Sequence, residues 1–148
     1  MTVREFDDLF YVCSLLESVS RSTKNHRGFV AERIGQDGIQ HLLNFADINH
    51  CLSMEQVTEE TIEIYGIPNG DFDPAKNSEF HIPGITQIGK VYARLVESTL
   101  QPGETPASGI IRVFSSFISD AISDFRTATY YSSPDYLKQS LLAGELLD

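Results

Sequence analysis

The stretch Ile85-Thr-Gln-Ile-Gly-Lys-Val-Tyr-Ala-Arg-Leu-Val-Glu-Ser-Thr-Leu100 decides the fold class. Its large apolar side chains recur every three or four residues, a spacing that places them on one side of an α-helix. They are Ile85, Ile88, Val91, Tyr92, Leu95, Val96 and Leu100. A stripe of this width predicts a helix over 85–100 whose apolar side packs against other elements.

Helical spacing continues on both sides of this stretch. Thr2 with Glu5, and Ser53 with Gln56, have the spacing of capping boxes, which mark the first turns of helices. The predicted helices are about 2–19, 29–35, 37–46, 54–65, 85–100, 110–128 and a last one from Pro134. Apart from a short extended piece at 80–82, the sequence therefore predicts an all-α fold of six or seven helices.

The segment 101–109 is rich in proline and glycine, which makes it the best linker candidate. It would join an acidic helical core, 1–100, to a C-terminal helical hairpin, 110–148. A single domain is favoured over two because about forty residues rarely bury enough surface to fold alone. If the hairpin projects, its large apolar and aromatic residues predict a homodimer interface. These residues are Phe114, Phe117, Ile118, Tyr130, Tyr131 and Tyr136.

Negative charge is concentrated in the middle of the chain. Between Ile34 and Gly89 there are nine acidic residues and one basic residue, Lys76, which gives this window −8 of the total charge of −10. Its clearest element is the outer face of the helix 54–65, formed by Glu55, Glu59, Glu60 and Glu63. An acidic face of this kind attracts and steers basic protein partners, or it serves only to keep the protein in solution.

The composition disfavours several classes of protein. The pI near 4.7 argues against general nucleic-acid binding and against anionic membrane surfaces, since both need a cationic face. We expect a soluble, cytoplasmic chain, because no signal peptide and no apolar run of about 20 residues is apparent. The two cysteines, Cys13 and Cys51, are expected to be reduced thiols.

One basic cluster precedes the acidic window, and it consists of Arg21, Lys24, His26 and Arg27. It could bind an anion near a helix start at Gly28, or it could be an exposed connection between helices. The helix pair that follows, 29–45, partly resembles a helix-turn-helix, with Gly35 in the turn. Asp37 would repel phosphate near the start of the recognition helix, so DNA reading is an alternative rather than the leading hypothesis.

Metal-capable side chains occur together at Asp47, His50 and Cys51. Asp47 and His50 share a helix face, but a third and fourth ligand at convincing spacing are missing. A hydrogen bond between them explains the pattern equally well. No catalytic motif accompanies these residues, so a small metal-dependent enzyme is the second alternative, and no cofactor is predicted.

Four segments carry a resemblance to a known family: Phe10–Leu16, Thr23–Arg27, Ala46–Cys51 and Ile88–Leu95. They are similar to a family of small uncharacterised proteins of gut-dwelling bacteria, over residues of about 1–97 only. The resemblance implies an accessory or antitoxin-like role beside toxin-like domains, and it implies no catalytic residues.

The leading hypothesis from the sequence is therefore a non-enzymatic, bacterial protein-interaction module that binds a basic protein partner through its acidic face.

Overall fold

The computed structural model describes residues 1–76 and 78–148. This part of the chain forms eight α-helices and one 3-10 turn without any strand, which confirms the all-α prediction. The helices are α1 (Val3–Thr23), α2 (Arg27–Asn44), α3 (Ala46–Asn49), α4 (Met54–Tyr65), α5 (Ile85–Thr99), α6 (Pro106–Phe114), α7 (Phe117–Ile122) and α8 (Pro134–Ala143). The 3-10 turn is Thr129–Tyr131, and the extended piece predicted at 80–82 forms no strand.

Helix α1 lies against α2, α3, α4 and α5 and supplies much of the core. It continues to Thr23, beyond the predicted end at 19, because serine and threonine hydroxyls in its last turns bond back to the helix. Ser20 donates to the Leu16 carbonyl at 2.7 Å, and Thr23 donates to the Val19 carbonyl at 2.8 Å. The hydroxyl groups of these residues, which are typical of a helix end, thus find hydrogen-bond partners within the helix.

Helices α1 and α5 come into close contact at Ser14 and Gly89. A Cβ atom added at Gly89 would lie 2.0 Å from Ser14 Oγ and 2.8 Å from Ser14 Cα. The absence of a side chain at Gly89 therefore lets the backbones of α1 and α5 approach closely. This close approach packs the apolar stripe of α5 against α1. In that stripe, Ile88, Tyr92 and Val96 are fully buried.

Helix α2 bends at Gly35, where φ is 78° and ψ is 167°. This left-handed φ interrupts the helical backbone and suits a residue without Cβ. The predicted division into two helices near Gly35 is confirmed, although the first half begins at Arg27 and the second half ends at Asn44.

The single long helix predicted over 110–128 is wrong. The chain forms α6 and α7 instead, with a break at Ser115 and Ser116. Ser116 donates to the Val113 carbonyl at 2.7 Å and accepts from the Ile118 amide, so it caps α7. Such a local bond competes with the continuing helix ladder.

The proposed linker is short and ordered. Thr105 caps α6 with Pro106 in its first turn, so the helix begins inside the segment 101–109. Glu104 accepts two hydrogen bonds from Arg112, at 2.8 and 2.9 Å, which ties the connection to α6.

The C-terminal helices pack onto the rest of the chain. α6 contacts α2 and α5, α8 contacts α5, and the Phe114 ring stacks on Tyr92 at 4.3 Å between centroids. Phe114 and Ile118 are fully buried within this chain, which corrects their assignment to an oligomer interface. Phe117 and Tyr131 are exposed, and Tyr130 and Tyr136 are half-buried.

Candidate functional site

Helix α4 carries the acidic face and is held by caps at both ends. Ser53 accepts a hydrogen bond from the Gln56 amide at 3.1 Å, and Gly66 takes the left-handed conformation that ends the helix. Its inner side buries Val57, Thr58 and Thr61, and the Thr58 hydroxyl shares a 2.7 Å hydrogen bond with Ser18 of α1. The opposite side of the helix is consequently turned outward.

All four glutamates of this face are exposed. Ion pairs do join described residues elsewhere in the chain, but none of those pairs includes a glutamate of α4. Arg33 of α2 reaches α4 but donates to the Tyr65 and Gly66 carbonyls at the end of the helix. The fold thus leaves these negative charges open.

An exposed apolar side chain borders the acidic face at one edge. Ile64 is 73% exposed, and it follows Glu60 by four residues, so the two share one side of the helix. The acidic face is therefore not a purely charged surface. Its spacing from Val57 and Thr61 predicts an inward position for Ile64, but the buried side of α4 is centred on Val57, Thr58 and Thr61 and leaves Ile64 outside.

The basic cluster serves the core rather than the acidic face. Arg27 is fully buried, and its guanidinium contacts the fully buried Glu17 carboxylate, with a 2.9 Å bond from Nε to Oε1. Arg21 donates to the same carboxylate at 3.0 and 3.2 Å, and Ser123 Oγ donates to it at 3.2 Å. Burial alone would lower the pKa of Arg27, but the charge and hydrogen bonds of Glu17 raise it overall.

The predicted anion site at Arg21, Lys24, His26 and Arg27 is therefore not assembled, because two of its cations already neutralise Glu17. His26 bonds to Asp120 at 2.9 Å and stacks on Phe72 at 4.0 Å between centroids. Lys24 is exposed and occupies the left-handed C-cap of α1.

The metal candidates separate in the structure. Asp47 pairs with Arg4, while the His50 ring lies 4.9 Å from the Tyr11 ring. Cys51 Sγ donates to the Asp47 carbonyl at 3.8 Å. Over 1–76 and 78–148, no three metal-capable side chains converge, so the weak candidates Asp47, His50 and Cys51 are not brought together as a metal centre.

A pocket of about 540 Å³ opens between α1, α3, α4 and the start of α5. Asp47 and His50 contribute to its wall, together with Asp8, Phe10 and Tyr11 of α1. Burial, followed by the negative charge of Asp47, raises the pKa of Asp8 above its usual range. Burial also raises the pKa of Tyr11. The adjacent aromatics Phe10 and Tyr11 were a sequence signal for this pocket, but the three-helix arrangement around them was not visible.

The second half of the helix pair 29–45 presents a polar outer side without lysine or arginine. Its second half exposes Gln36, Asp37, Gln40, His41 and Asn44. Because a DNA-reading helix needs phosphate-neutralising charge beside its base contacts, this surface does not favour the DNA-binding alternative.

No family model matches the chain, and neither a curated protein nor a solved structure matches it. Among the helices described here, none has both the length and the apolar character needed to cross a membrane.

Proposed function

We propose that this protein binds a basic protein partner through the outer face of α4. The observation that carries the proposal is an exposed face of four glutamates, none of which joins an ion pair among the described residues, with the exposed Ile64 next to Glu60. The fold supplies a rigid support for this surface, because α4 is capped at both ends and packed on α1.

Repulsion between the glutamates of α4 lowers the stability of this helix, and that cost favours a role in recognition over a role in solubility alone. Glu55 faces Glu59, and Glu59 faces Glu63, at the i, i+4 spacing where like charges repel by a few tenths of a kcal/mol. Solubility alone would be served equally well by dispersed charges. Protein interfaces commonly combine an apolar anchor with a polar rim, and Ile64 at the edge of the glutamate face, next to Glu60, has this composition.

The α4 glutamates, as the charged rim, and Ile64, as the apolar anchor, should affect binding kinetics differently. Rim charges steer the encounter, so they act on the association rate and on its salt dependence, whereas a buried apolar anchor acts on the dissociation rate. A basic partner is expected to associate faster at low ionic strength, because exposed charges are screened beyond about 8 Å at physiological salt.

We predict that the variant Glu55→Lys/Glu59→Lys/Glu63→Lys slows association with the partner and flattens its salt dependence. The partner is first recovered by affinity purification from the source cells and identified, and rates are then measured by biolayer interferometry over a salt series. The matched control is Glu32→Lys/Glu79→Lys/Glu145→Lys, which changes the net charge equally at exposed acids outside α4. Ile64→Ser should accelerate dissociation with little effect on association.

Equal slowing by both triple variants would mean that net charge, rather than the α4 face, governs binding. Recovery of the same partner with unchanged rates from the α4 variant would refute the proposal.

A toxin neutralised by this chain is the partner that the family resemblance implies. Under that proposal, co-expression of the wild-type chain rescues growth of cells that produce the partner, and the α4 triple variant rescues it less well. A partner without toxicity would remove the antitoxin-like role while leaving the binding proposal in place.

A further inference from the structure

We infer that the pocket between α1, α3 and α4 binds a small organic cation, an ammonium group carried on an aryl or alkyl body. This site lies apart from the outer face of α4, and the inference does not depend on the proposed partner binding.

The size and walls of the pocket suit a small molecule. Its volume of about 540 Å³ falls within the range of roughly 300–1,000 Å³ that is typical of ligand sites. Phe10, Leu52, Met54 and Ala46 give it apolar walls, which would receive the body of the ligand. A few polar groups among apolar walls is the usual composition of such sites.

The charges around the pocket select a cation. Asp7, Asp8 and Asp47 contribute to its wall, and Arg4, which pairs with Asp47, offsets one of these charges. The first turns of α4 and α5 also reach the pocket, and a helix start carries about half a positive charge. The two helix starts together contribute about one positive charge, which is less than the two negative charges of the remaining carboxylates. The pocket therefore keeps a net negative charge. An entering ammonium would relieve the repulsion between Asp8 and Asp47 and would lie near the aromatic faces of Phe10 and Tyr11.

The Tyr11 hydroxyl is an observation, independent of the charges, that points to a ligand. Tyr11 is only 6% exposed, and its side chain borders the pocket beside the His50 ring. Among the buried side-chain polar atoms of the described residues, the Tyr11 hydroxyl is the one that lacks a hydrogen-bond partner there. Buried hydroxyls are nearly always bonded, because an unpaired one is costly. This oxygen is covered in the structure, so an ammonium N–H would donate to it once a neighbouring side chain of the pocket wall moves aside.

The inference is tested by titrating phenethylamine into the full chain and measuring the chemical shifts of the backbone amides. Phenethyl alcohol and phenylacetate serve as neutral and anionic controls of similar shape. We expect phenethylamine to bind with a Kd of about 1 mM or tighter, shifting the amides of Ala46, Leu52 and Met54. Each control should bind at least about tenfold more weakly, a ratio that reflects recognition of the charge.

Two variants assign the polar contacts. Asp8→Asn should weaken phenethylamine about tenfold without lowering the melting temperature, because the fold already disfavours the Asp8 charge. Tyr11→Phe should weaken it about threefold while raising the melting temperature, since it removes an unpaired buried hydroxyl. Asp135→Asn, in the separate groove between α5 and α8, is the matched control for binding and should leave the affinity for phenethylamine unchanged.

Three results would overturn the inference: no shifts at these amides up to about 10 mM phenethylamine, equal binding of the alcohol, or unchanged affinity in both Asp8→Asn and Tyr11→Phe. Reversal of the α4 charges should leave phenethylamine binding intact, so failure here is distinguishable from failure of the proposed partner binding.

Discussion

At the scale of single residues, the Glu17 carboxylate organises the interior. It is fully buried and receives hydrogen bonds from Arg21, Arg27 and Ser123. Because Ser123 donates its single hydroxyl proton to Glu17, it accepts a hydrogen bond from the Tyr92 hydroxyl, whose oxygen also lies 3.1 Å from the Ser119 carbonyl. The network therefore joins α1, α2, α5 and the C-terminal segment through one buried charge.

We predict that Glu17→Gln destabilises the fold by about 3–5 kcal/mol, because it leaves the buried Arg27 without its counter-charge. Urea unfolding followed by circular dichroism measures the effect. The double variant Glu17→Leu/Arg27→Met should be clearly more stable than Glu17→Gln, since an apolar pair carries no unpaired charge. A loss below about 1 kcal/mol for Glu17→Gln would show that the pair contributes little.

At the scale of elements, glycine contacts control how closely the helices approach. Gly89 sits in the middle of α5, where glycine normally weakens a helix by about 1 kcal/mol relative to alanine. Its place there is explained by the Ser14 backbone, which leaves no room for a Cβ atom. Closeness of packing thus outweighs local helix propensity at this position.

Gly89→Ala should consequently destabilise the protein, by about 1–3 kcal/mol, although the same change in an exposed helix would stabilise it. Thermal and urea unfolding both report the sign. Lys90→Ala, at the exposed neighbouring position, is the control and should lie within about 0.5 kcal/mol of the wild type. A stabilising Gly89→Ala would mean that α1 and α5 are not in this close contact.

At the scale of the whole molecule, the C-terminal third completes the core formed by the N-terminal two thirds. Phe114, Ile118 and Ile122 are fully buried, and Ser123 reaches Glu17 across 106 positions of the chain. Removing this segment would expose the inner sides of α2 and α5 and would take one hydrogen bond from the buried carboxylate.

We predict that a fragment of residues 1–101 retains helical far-ultraviolet dichroism but loses near-ultraviolet dichroism and cooperative unfolding, as in a molten globule. Removing only the last residues, 145–148, leaves the buried helices in place and serves as the control. A fragment 1–101 that unfolds cooperatively would instead support an independently folding core.

The sequence predicted local features well, because periodicity and capping depend on residues that are close in the chain. Ser53 before α4, Gly66 after it and the bend at Gly35 lie where the pattern placed them. The exposed glutamates of α4 were also predicted, since the face of a helix follows from its spacing.

Only the tertiary structure decided which groups the polar side chains of these helices contact. Arg21 and Arg27 turn inward to Glu17, the helix over 110–128 breaks at Ser116, and Tyr11 comes to border a pocket with Asp47 and His50. Each outcome depends on residues far apart in sequence, whose burial changes the cost of leaving a charge or hydroxyl unpaired. Local spacing specifies which helices form and which side is apolar, whereas desolvation and packing between distant segments specify which polar groups are neutralised and which stay open.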